Sequence, residues 1–582
     1  MLLKPFSIII LNQGRQIFKH LHTFFFMNCH INLNLYYFSK IRTFIIHIIK
    51  MKKILVFIFL FNIGFSSISC LSAQDSYWVF FTDKEDVVFD PYEYFDTKAI
   101  ERRIKNDVPI NHPTDWPLNE TYVNTVSSIV DSISGHTRWF NALAVLASEE
   151  QIEQLRNLYF VKQIESMDYY SVLASKKGCD RTFEYYNQRR RQLDILGRKD
   201  FEDGGFNGKG IRIAIFDGGF PGVNTSPAFE QIRNSNRLID TWDFTKNKDF
   251  VFYSISHGTE VMSNIGGLII RGNDTAQYGL ATGAEFLLAK TEIKREPYSE
   301  EKNWLMAVEW ADKNGADIIN SSLGYTKDRY FRSDMDGQKS LVTRAGNMAA
   351  RKGILVVNAA GNDGENIWNI IGAPADADSV LTVGGIDPSN DCHISFSSYG
   401  PTADGRMKPN VCAFGSTIVA NPDGYEINVQ GTSFASPLIA GFAACALQAN
   451  PNMKTMELFL LIEQSGHLYP YYDYAHGYGI PQAKYIITKQ KGNVQKTFEA
   501  EFNGNMGNEN LMIKILNFTT PSIGESSLMY IKYIKIDGTI GSYQIIQVSQ
   551  KKFAMRLYDT IEDDNMIKVV IFYDGYIQEI NL

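Results

Sequence analysis

From Ile211 onward the chain alternates short, unbroken apolar runs with stretches of helical spacing, and this rhythm restricts the fold more than any other feature. The runs are Ile211–Phe216, Ala284–Leu288, Asp317–Asn320, Ile354–Asn358 and Val380–Val383; Trp304–Lys313 and Lys339–Arg351 are helical stretches between them. A strand without a polar face has to be covered on both sides, and strands linked through helices run parallel. The expected architecture over residues 210–490 is therefore α/β, a doubly wound, mostly parallel sheet. In such sheets sites form beyond the carboxyl ends of the strands, which directs the search for chemistry.

The flanking text obeys other periods. Residues 74–170 read as a small α+β unit: a strand at Tyr77–Thr82, helical spacing over Thr121–Ile133, strand-like text over Thr137–Ala147, and a final strand at Val161–Ile164. Ser148-Glu149-Glu150-Gln151 opens a helix as an N-cap with an acidic first turn. That order suits a ferredoxin-like domain, with Pro109–Leu118 as an inserted loop. Residues 171–209 contain Arg189-Arg190-Arg191 and a Gly-rich stretch, and read as an exposed linker that runs into the start of the following domain. Beyond residue 498 helical text stops, and Lys514–Leu516, Met529–Ile536, Tyr543–Val548 and Ile567–Tyr573 predict a small all-β domain to residue 582. A length of 582 residues accommodates these units at roughly 150 residues each.

Charge separates the N-terminus from the rest. Residues 1–74 carry eight Lys and Arg and no acid, whereas the remaining 49 of the 57 basic residues face 64 Asp and Glu. So acidic a body is poorly suited to a nucleic-acid backbone, which Lys and Arg must neutralise. Met51-Lys52-Lys53, the apolar run Ile54–Phe61 and Leu71-Ser72-Ala73 form a secretory signal over residues 51–73. The apolar run falls short of the ~20 residues that span a bilayer, so no transmembrane span is expected. Cys70 is an alternative lipid-anchoring site. Residues 1–50 read as a non-native extension ahead of that signal, with a long n-region as the other reading. Cys179, Cys392, Cys412 and Cys445 form no C-x-x-C pair, so no zinc site is readable, and spacing leaves free thiols and a Cys392–Cys412 bridge both open.

Three short segments carry the chemistry. Ala214-Ile215-Phe216-Asp217-Gly218-Gly219 delivers an acid at a strand end, Ser256-His257-Gly258-Thr259 puts an imidazole at a helix start, and Gly431-Thr432-Ser433-Phe434-Ala435-Ser436-Pro437 leads into a small-residue helix. Each alone has an ordinary explanation, as a turn, a cap or a surface residue. A hydroxyl at a helix start gains from the positive end of the dipole, and its backbone N–H can face a developing oxyanion.

In the order Asp, His, Ser these segments resemble the subtilisin-like serine peptidases, over roughly residues 190–490. The resemblance implies a secreted endopeptidase with Ser433 as nucleophile, His257 as general base and Asp217 holding the imidazole. It implies that Asn362 of Ala359-Ala360-Gly361-Asn362 donates to the oxyanion. Ser322-Leu323-Gly324 would pair with the substrate backbone, and Ala359, Ala360 and Gly361 would line the first pocket. Residues 77–166 occupy the place of an inhibitory propeptide, with a plain accessory domain as the alternative. No cofactor is required for the chemistry, and structural calcium, frequent in this family, has no assignable loop here. Departures are Gly218 for Thr or Ser, Glu260 for a second His, and Ala413-Phe414-Gly415 for Ala-Pro-Gly; Glu260 is placed to raise the pKa of His257. A catalytically silent surface protein is the competing function, and an α/β-hydrolase esterase is disfavoured because Ser433 lacks the G-x-S-x-G frame.

Overall fold

Residues 75–167, 176–177, 182–272, 274–293, 299–327, 329–492, 494–503, 510–518, 527–556 and 566–582 are described in a computed structural model. The leader, with Cys29 and Cys70, and Cys179 lie outside the described residues. The N-terminal unit comprises β1 (Asp75–Phe81), α1 (Thr97–Lys105), α2 (Glu120–Ser127), β2 (Ser132–Thr137), β3 (Ala142–Ala147), α3 (Glu149–Arg156) and β4 (Val161–Ser166). All pairings are antiparallel, in the order β2-β3-β1-β4, which is the ferredoxin-like arrangement. Ser148 and Gln151 form the reciprocal capping box that starts α3. The expected helix over 121–133 stops at Ser127, and Ser132–Thr137 pairs with β3 as an edge strand. α1 had no counterpart in the sequence reading; Asp96 caps it by accepting from Lys98 N at 2.8 Å.

Within the tract 171–209, the described residues from Gln188 to Phe201 are not an exposed connector. Residues 182–203 form α4 (Thr182–Asp194) and α5 (Arg198–Asp203), and Leu193, Leu196 and Phe201 are buried in the same core as the central sheet. Gln192, fully buried, donates to the Tyr278 and Ile418 carbonyls at 3.1 Å each. The arginine run obscured this period: Arg189 and Arg191 turn to Glu426 and Asp391 of the neighbouring surface, leaving Gln192 and Leu193 facing inward.

The apolar runs become β5 (Arg212–Asp217), β7 (Glu285–Lys290), β8 (Ile318–Ser321), β9 (Leu355–Ala359) and β10 (Leu381–Ile386), joined by β6 (Leu238–Asp243) and β11 (Val411–Phe414). The order is β11-β10-β9-β8-β5-β7-β6, and every pairing is parallel. Alternation along β5 sends Ile213 and Ile215 to one core, with α6 (His257–Gly266) and α9 (Thr432–Ala449). Ala214 and Phe216 go to the other, with α7 (Ser299–Lys313) and α8 (Leu341–Arg351). Each fully buried Ile or Phe here stabilises by about 1.5–3 kcal/mol, which is why both faces must be covered. Among the described residues, α9 alone is long and apolar enough to cross a membrane; it is the buried helix of this core.

An antiparallel hairpin, β12 (Ser416–Ala420) and β13 (Glu426–Gln430), leads into α9, and α10 (Thr455–Gln464) follows. The C-terminal strands β14 (Phe498–Asn503), β15 (Asn510–Ile515), β16 (Leu528–Lys535), β17 (Ile540–Gln547), β18 (Lys552–Arg556), β19 (Met566–Tyr573) and β20 (Tyr576–Asn581) form two sheets, β14-β15-β18 and β17-β16-β19-β20. Phe498, Ile513, Ile531 and Ile571 lie in their shared core, while Tyr530, Val570 and Phe572 pack on Leu468 and Tyr471. β14, β18 and β20 were not legible, since their alternation includes charged residues. Cys392 and Cys412 are free thiols, so the bridge left open by spacing is absent.

Candidate active site

Asp217 ends β5 at the point where the strand order reverses, the crevice of a doubly wound sheet. Its carboxylate is 1% exposed and accepts from Gly218 N at 2.7 Å and from His257 Nδ1 at 2.8 and 3.0 Å. A Cβ at Gly218 would stand 3.0 Å from Ile255 Cδ1, so Ile255 takes up the space beside this departure from the family pattern. His257 opens α6 and keeps 21% of its side chain accessible. Its ring packs against Phe434, with centroids 5.2 Å apart, which brings it beside the residue that follows Ser433. Burial opposes the imidazolium, but the Asp217 charge and hydrogen bond outweigh it, with Glu260 and Glu292 adding, so the His257 pKa is raised.

Ser433 is the second residue of α9 and half-buried between buried neighbours. Gly431 caps the helix at φ +147° and ψ 151°, a conformation almost restricted to glycine. Pro437 lacks the N–H that would bond the Ser433 carbonyl four residues back; Ser322 Oγ donates to that carbonyl instead, at 2.7 Å. Ser322 Oγ in turn accepts from Asn320 Nδ2 at 3.2 Å, and Asn320 Oδ1 accepts from Ser436 Oγ at 2.9 Å. The end of β8 is thereby tied to the start of α9. The Ser433 hydroxyl donates to the Ser322 carbonyl at 3.3 Å rather than to the imidazole.

Asn362 Oδ1 accepts from Thr432 N at 2.8 Å and Thr432 Oγ1 at 3.0 Å. Only the oxygen of an amide can accept both, so Nδ2 points the other way; a Cβ built on Gly431 would lie 3.5 Å from it. Ala359 and Ala360 are buried at the end of β9, and Gly361 adopts φ +112° while donating to Thr432 Oγ1 at 3.2 Å. The Leu323 carbonyl accepts from Asn358 Nδ2 at 3.0 Å, and Gly324 is exposed with open space over its Cα.

The structure thus brings the ends of β5, β8 and β9 and the starts of α6 and α9 to one place. Sequence reasoning missed the supporting residues Asn320, Ser436 and Asn358, because a lone Asn or Ser has no distinguishing spacing. It missed Asn264, whose Nδ2 donates to Thr417 Oγ1 at 2.9 Å and to the Phe434 carbonyl at 3.3 Å, and Gln192, which donates to Asn264 Oδ1 at 3.3 Å. The pair Leu193 and Leu196, at the end of that helix and in the turn after it, was the signal for burial of the segment that carries Gln192. Among the described residues no group of three or more His, Cys, Asp or Glu is arranged to hold a metal.

The Subtilase family matches residues 208–479, and the family described as "Peptidase S8 propeptide domain, Bacteroidota" matches residues 76–181. Subtilisin DY of Bacillus licheniformis is 30% identical over 255 residues, covering 44% of this chain and 82% of its own length. Serine protease AprX of Bacillus subtilis (strain 168) is 30% identical over 285 residues, covering 44% of this chain and 61% of its own. A solved cold-adapted subtilisin-like serine proteinase aligns at 26% identity over 45% of this chain and 84% of its own, with a TM-score of 0.35.

Proposed function

The chain belongs to the subtilase family and is a serine endopeptidase with a propeptide domain, and from that premise we propose that it cleaves peptide bonds through Asp217, His257 and Ser433 by way of an acyl-enzyme. The observation that carries the reading is the His257 Nδ1 to Asp217 contact of 2.8 Å at the mouth of the crevice, beside the start of α9. With Nδ1–H given to Asp217, Nε2 is the basic nitrogen. Substrate binding turns the Ser433 hydroxyl from the Ser322 carbonyl to Nε2. Oγ then attacks the scissile carbonyl, and the imidazole passes the proton to the leaving amine. Ser433 N–H, an orphan donor of the helix start, and Asn362 Nδ2 face the oxyanion. Water, activated by His257, releases the acyl group. No cofactor enters these steps.

The peptide substrate adds its backbone to Ser322-Leu323-Gly324, and its first side chain enters beside Ala359, Ala360 and Gly361. The propeptide is removed by the enzyme itself in the tract between Ile164 and Gln192. Support comes from both sides of that tract: Met167 N still bonds the Ser76 carbonyl of the propeptide sheet, while Gln192 is already part of the peptidase core. Export through the signal at residues 51–73 places the product outside the cell or at its surface, with Cys70 as an alternative lipid anchor.

A fluorophosphonate probe tests the assignment. Folded, processed enzyme is expected to be labelled at Ser433, and His257→Ala to abolish labelling. Absence of labelling in the folded wild type overturns the triad and favours a silent binding protein.

A further inference from the structure

Two buried amides join the helices that carry His257 and Ser433. Asn264 and Gln192 are both 0% exposed. Asn264 lies on α6 seven residues after His257, two helical turns and about 10.5 Å along the same face. α6 and α9 approach closely beside it: a Cβ on Gly441 would stand 3.0 Å from the Ile265 carbonyl. At its first residue α6 meets the Phe434 ring through His257, with centroids 5.2 Å apart, and two turns later Asn264 Nδ2 donates to the Phe434 carbonyl at 3.3 Å. The residue after Ser433 is thereby held by α6 at two points.

The direction of each amide is fixed from outside the pair. Ile418 N on β12 donates to Gln192 Oε1 at 2.9 Å, and a backbone N–H can only donate. Gln192 Nε2 therefore faces the three oxygens opposite, the Tyr278 and Ile418 carbonyls at 3.1 Å each and Asn264 Oδ1 at 3.3 Å. With its oxygen taken by Gln192, Asn264 presents Nδ2 to Thr417 Oγ1 at 2.9 Å and to the Phe434 carbonyl, which can only accept. Turning either amide over would set oxygen against oxygen and leave a buried donor and acceptor unpaired. Gln192 belongs to α4, which Gln188 also ties to β12 by donating to the Ser416 carbonyl at 3.0 Å.

We propose that Gln192 and Asn264 are positioning residues for the chemical step: a chain of amides running from Ile418 N–H through both side chains to the Phe434 carbonyl fixes α6 against the start of α9, and so sets the approach of His257 to Ser433. This rests on the assignment of Asp217, His257 and Ser433 given above. The Ser433 hydroxyl must turn from the Ser322 carbonyl to the imidazole before it loses its proton, and that transfer needs the two groups at hydrogen-bond distance. Ser322 fixes the Ser433 carbonyl from the β8 side; Asn264 fixes the next carbonyl from the α6 side. The partners of the chain are Tyr278, Thr417, Ile418 and Phe434, none of them on the Ser322–Gly324 edge or in the Ala359–Gly361 pocket. Its loss therefore falls on kcat and spares KM.

The test measures kcat and KM for a peptide amide, per site titrated with a fluorophosphonate, in enzyme obtained from the full chain after processing. Asn264→Ala is expected to lower kcat about tenfold, the effect of one lost buried hydrogen bond, with KM unchanged and the rate of fluorophosphonate labelling lowered in step. Gln192→Met keeps the volume and removes both polar groups of the amide; it is expected to lower kcat in the same direction. The double variant should fall no further than Asn264→Ala, because the two residues act as one chain. A role in stability alone would lower Tm and leave kcat per titrated site at the wild-type value, and that result overturns the proposal. So do losses that multiply in the double variant, or a change confined to KM. Should Asn264→Ala fail to fold by circular dichroism, Gln192→Met decides by its own kcat per titrated site, an unchanged value overturning the proposal. Failure of the folded wild type to label at Ser433 instead overturns the site assignment.

Discussion

The two ends of the central sheet are built in opposite ways. At the carboxyl end neutral hydrogen bonds tie strand ends to helix starts, and Ser433 and His257 stay partly open. At the amino end the propeptide's α1 is held by a buried ionic cluster. Arg102 and Arg103 pair with Asp312, Arg103 with Asp115 at 3.1 Å, and Lys352 with Asp115 at 2.6 Å, every side chain at most 4% exposed. Lys98 meets Asp317 at 3.0 Å, and Arg212 meets Asp96 at 3.3 Å. The propeptide sheet bridges the two ends along α7, where Glu309 accepts from Arg138 N at 3.0 Å and Trp139 N at 3.1 Å, and Lys302 Nζ donates to the Ser134 carbonyl at 2.7 Å. The contrast separates two tasks. Chemistry needs groups that meet a transition state and stay accessible, whereas retention of a propeptide needs contacts that are costly to break.

The largest expected effect breaks the carboxyl end alone. Ser433→Ala is expected to lower kcat by roughly 10⁶-fold, the scale known for triads of this family. The variant should leave the amino-end cluster intact and accumulate as unprocessed precursor, with residues 77–166 still attached. Mass spectrometry checks this, and maturation at the wild-type position and rate rules out self-processing.

Asp312→Ala breaks the amino end. It leaves Arg102 and Arg103 short of their shared buried carboxylate, at a cost of about 3–5 kcal/mol, and is expected to lower the Tm of the Ser433→Ala precursor. The processed enzyme should lose much less, because both arginines leave with the propeptide. Equal losses in the two forms would mean that the cluster does not retain the propeptide.

Asn362→Ala sharpens the description of the carboxyl end. The expectation is a loss of about 10²–10³-fold in kcat with KM little changed, the scale known for this family's asparagine. An effect confined to KM would move Asn362 from the oxyanion to substrate binding.

The smallest effect is electrostatic. His257 has its pKa raised, so the inactive imidazolium persists to higher pH than for an ordinary histidine, and activity appears as pH rises through that raised value. Glu260→Gln removes one of the charges that raise it and is expected to move the acid limb of kcat/KM to lower pH, measured with a small ester. An unmoved limb would exclude Glu260 from tuning the base.

Legibility followed the same division. Asp217, His257, Ser433 and Asn362 stood out because their neighbours are constrained: Gly431 by its backbone angles, Pro437 by its missing donor, the strand before Asp217 by burial on both faces. Arg102, Asp312 and Lys352 carry no such mark, since a charged residue on a helix is ordinarily solvated and only its partner across the fold shows otherwise. The same reason hid α4, whose arginine run reads as exposed until Glu426 and Asp391 are found opposite it.

The sequence by itself determined the α/β class, the ferredoxin-like and all-β flanks, and the residues brought together at the crevice, because local period and backbone restriction are properties of neighbours along the chain. Tertiary structure alone decided that Ser322 replaces the donor Pro437 lacks, that Tyr325 donates to the buried Glu292, and that α1 is locked to the amino edge of the sheet. Those outcomes depend on which distant groups share a water-free space, where an unpaired charge or donor costs far more than it does at the surface.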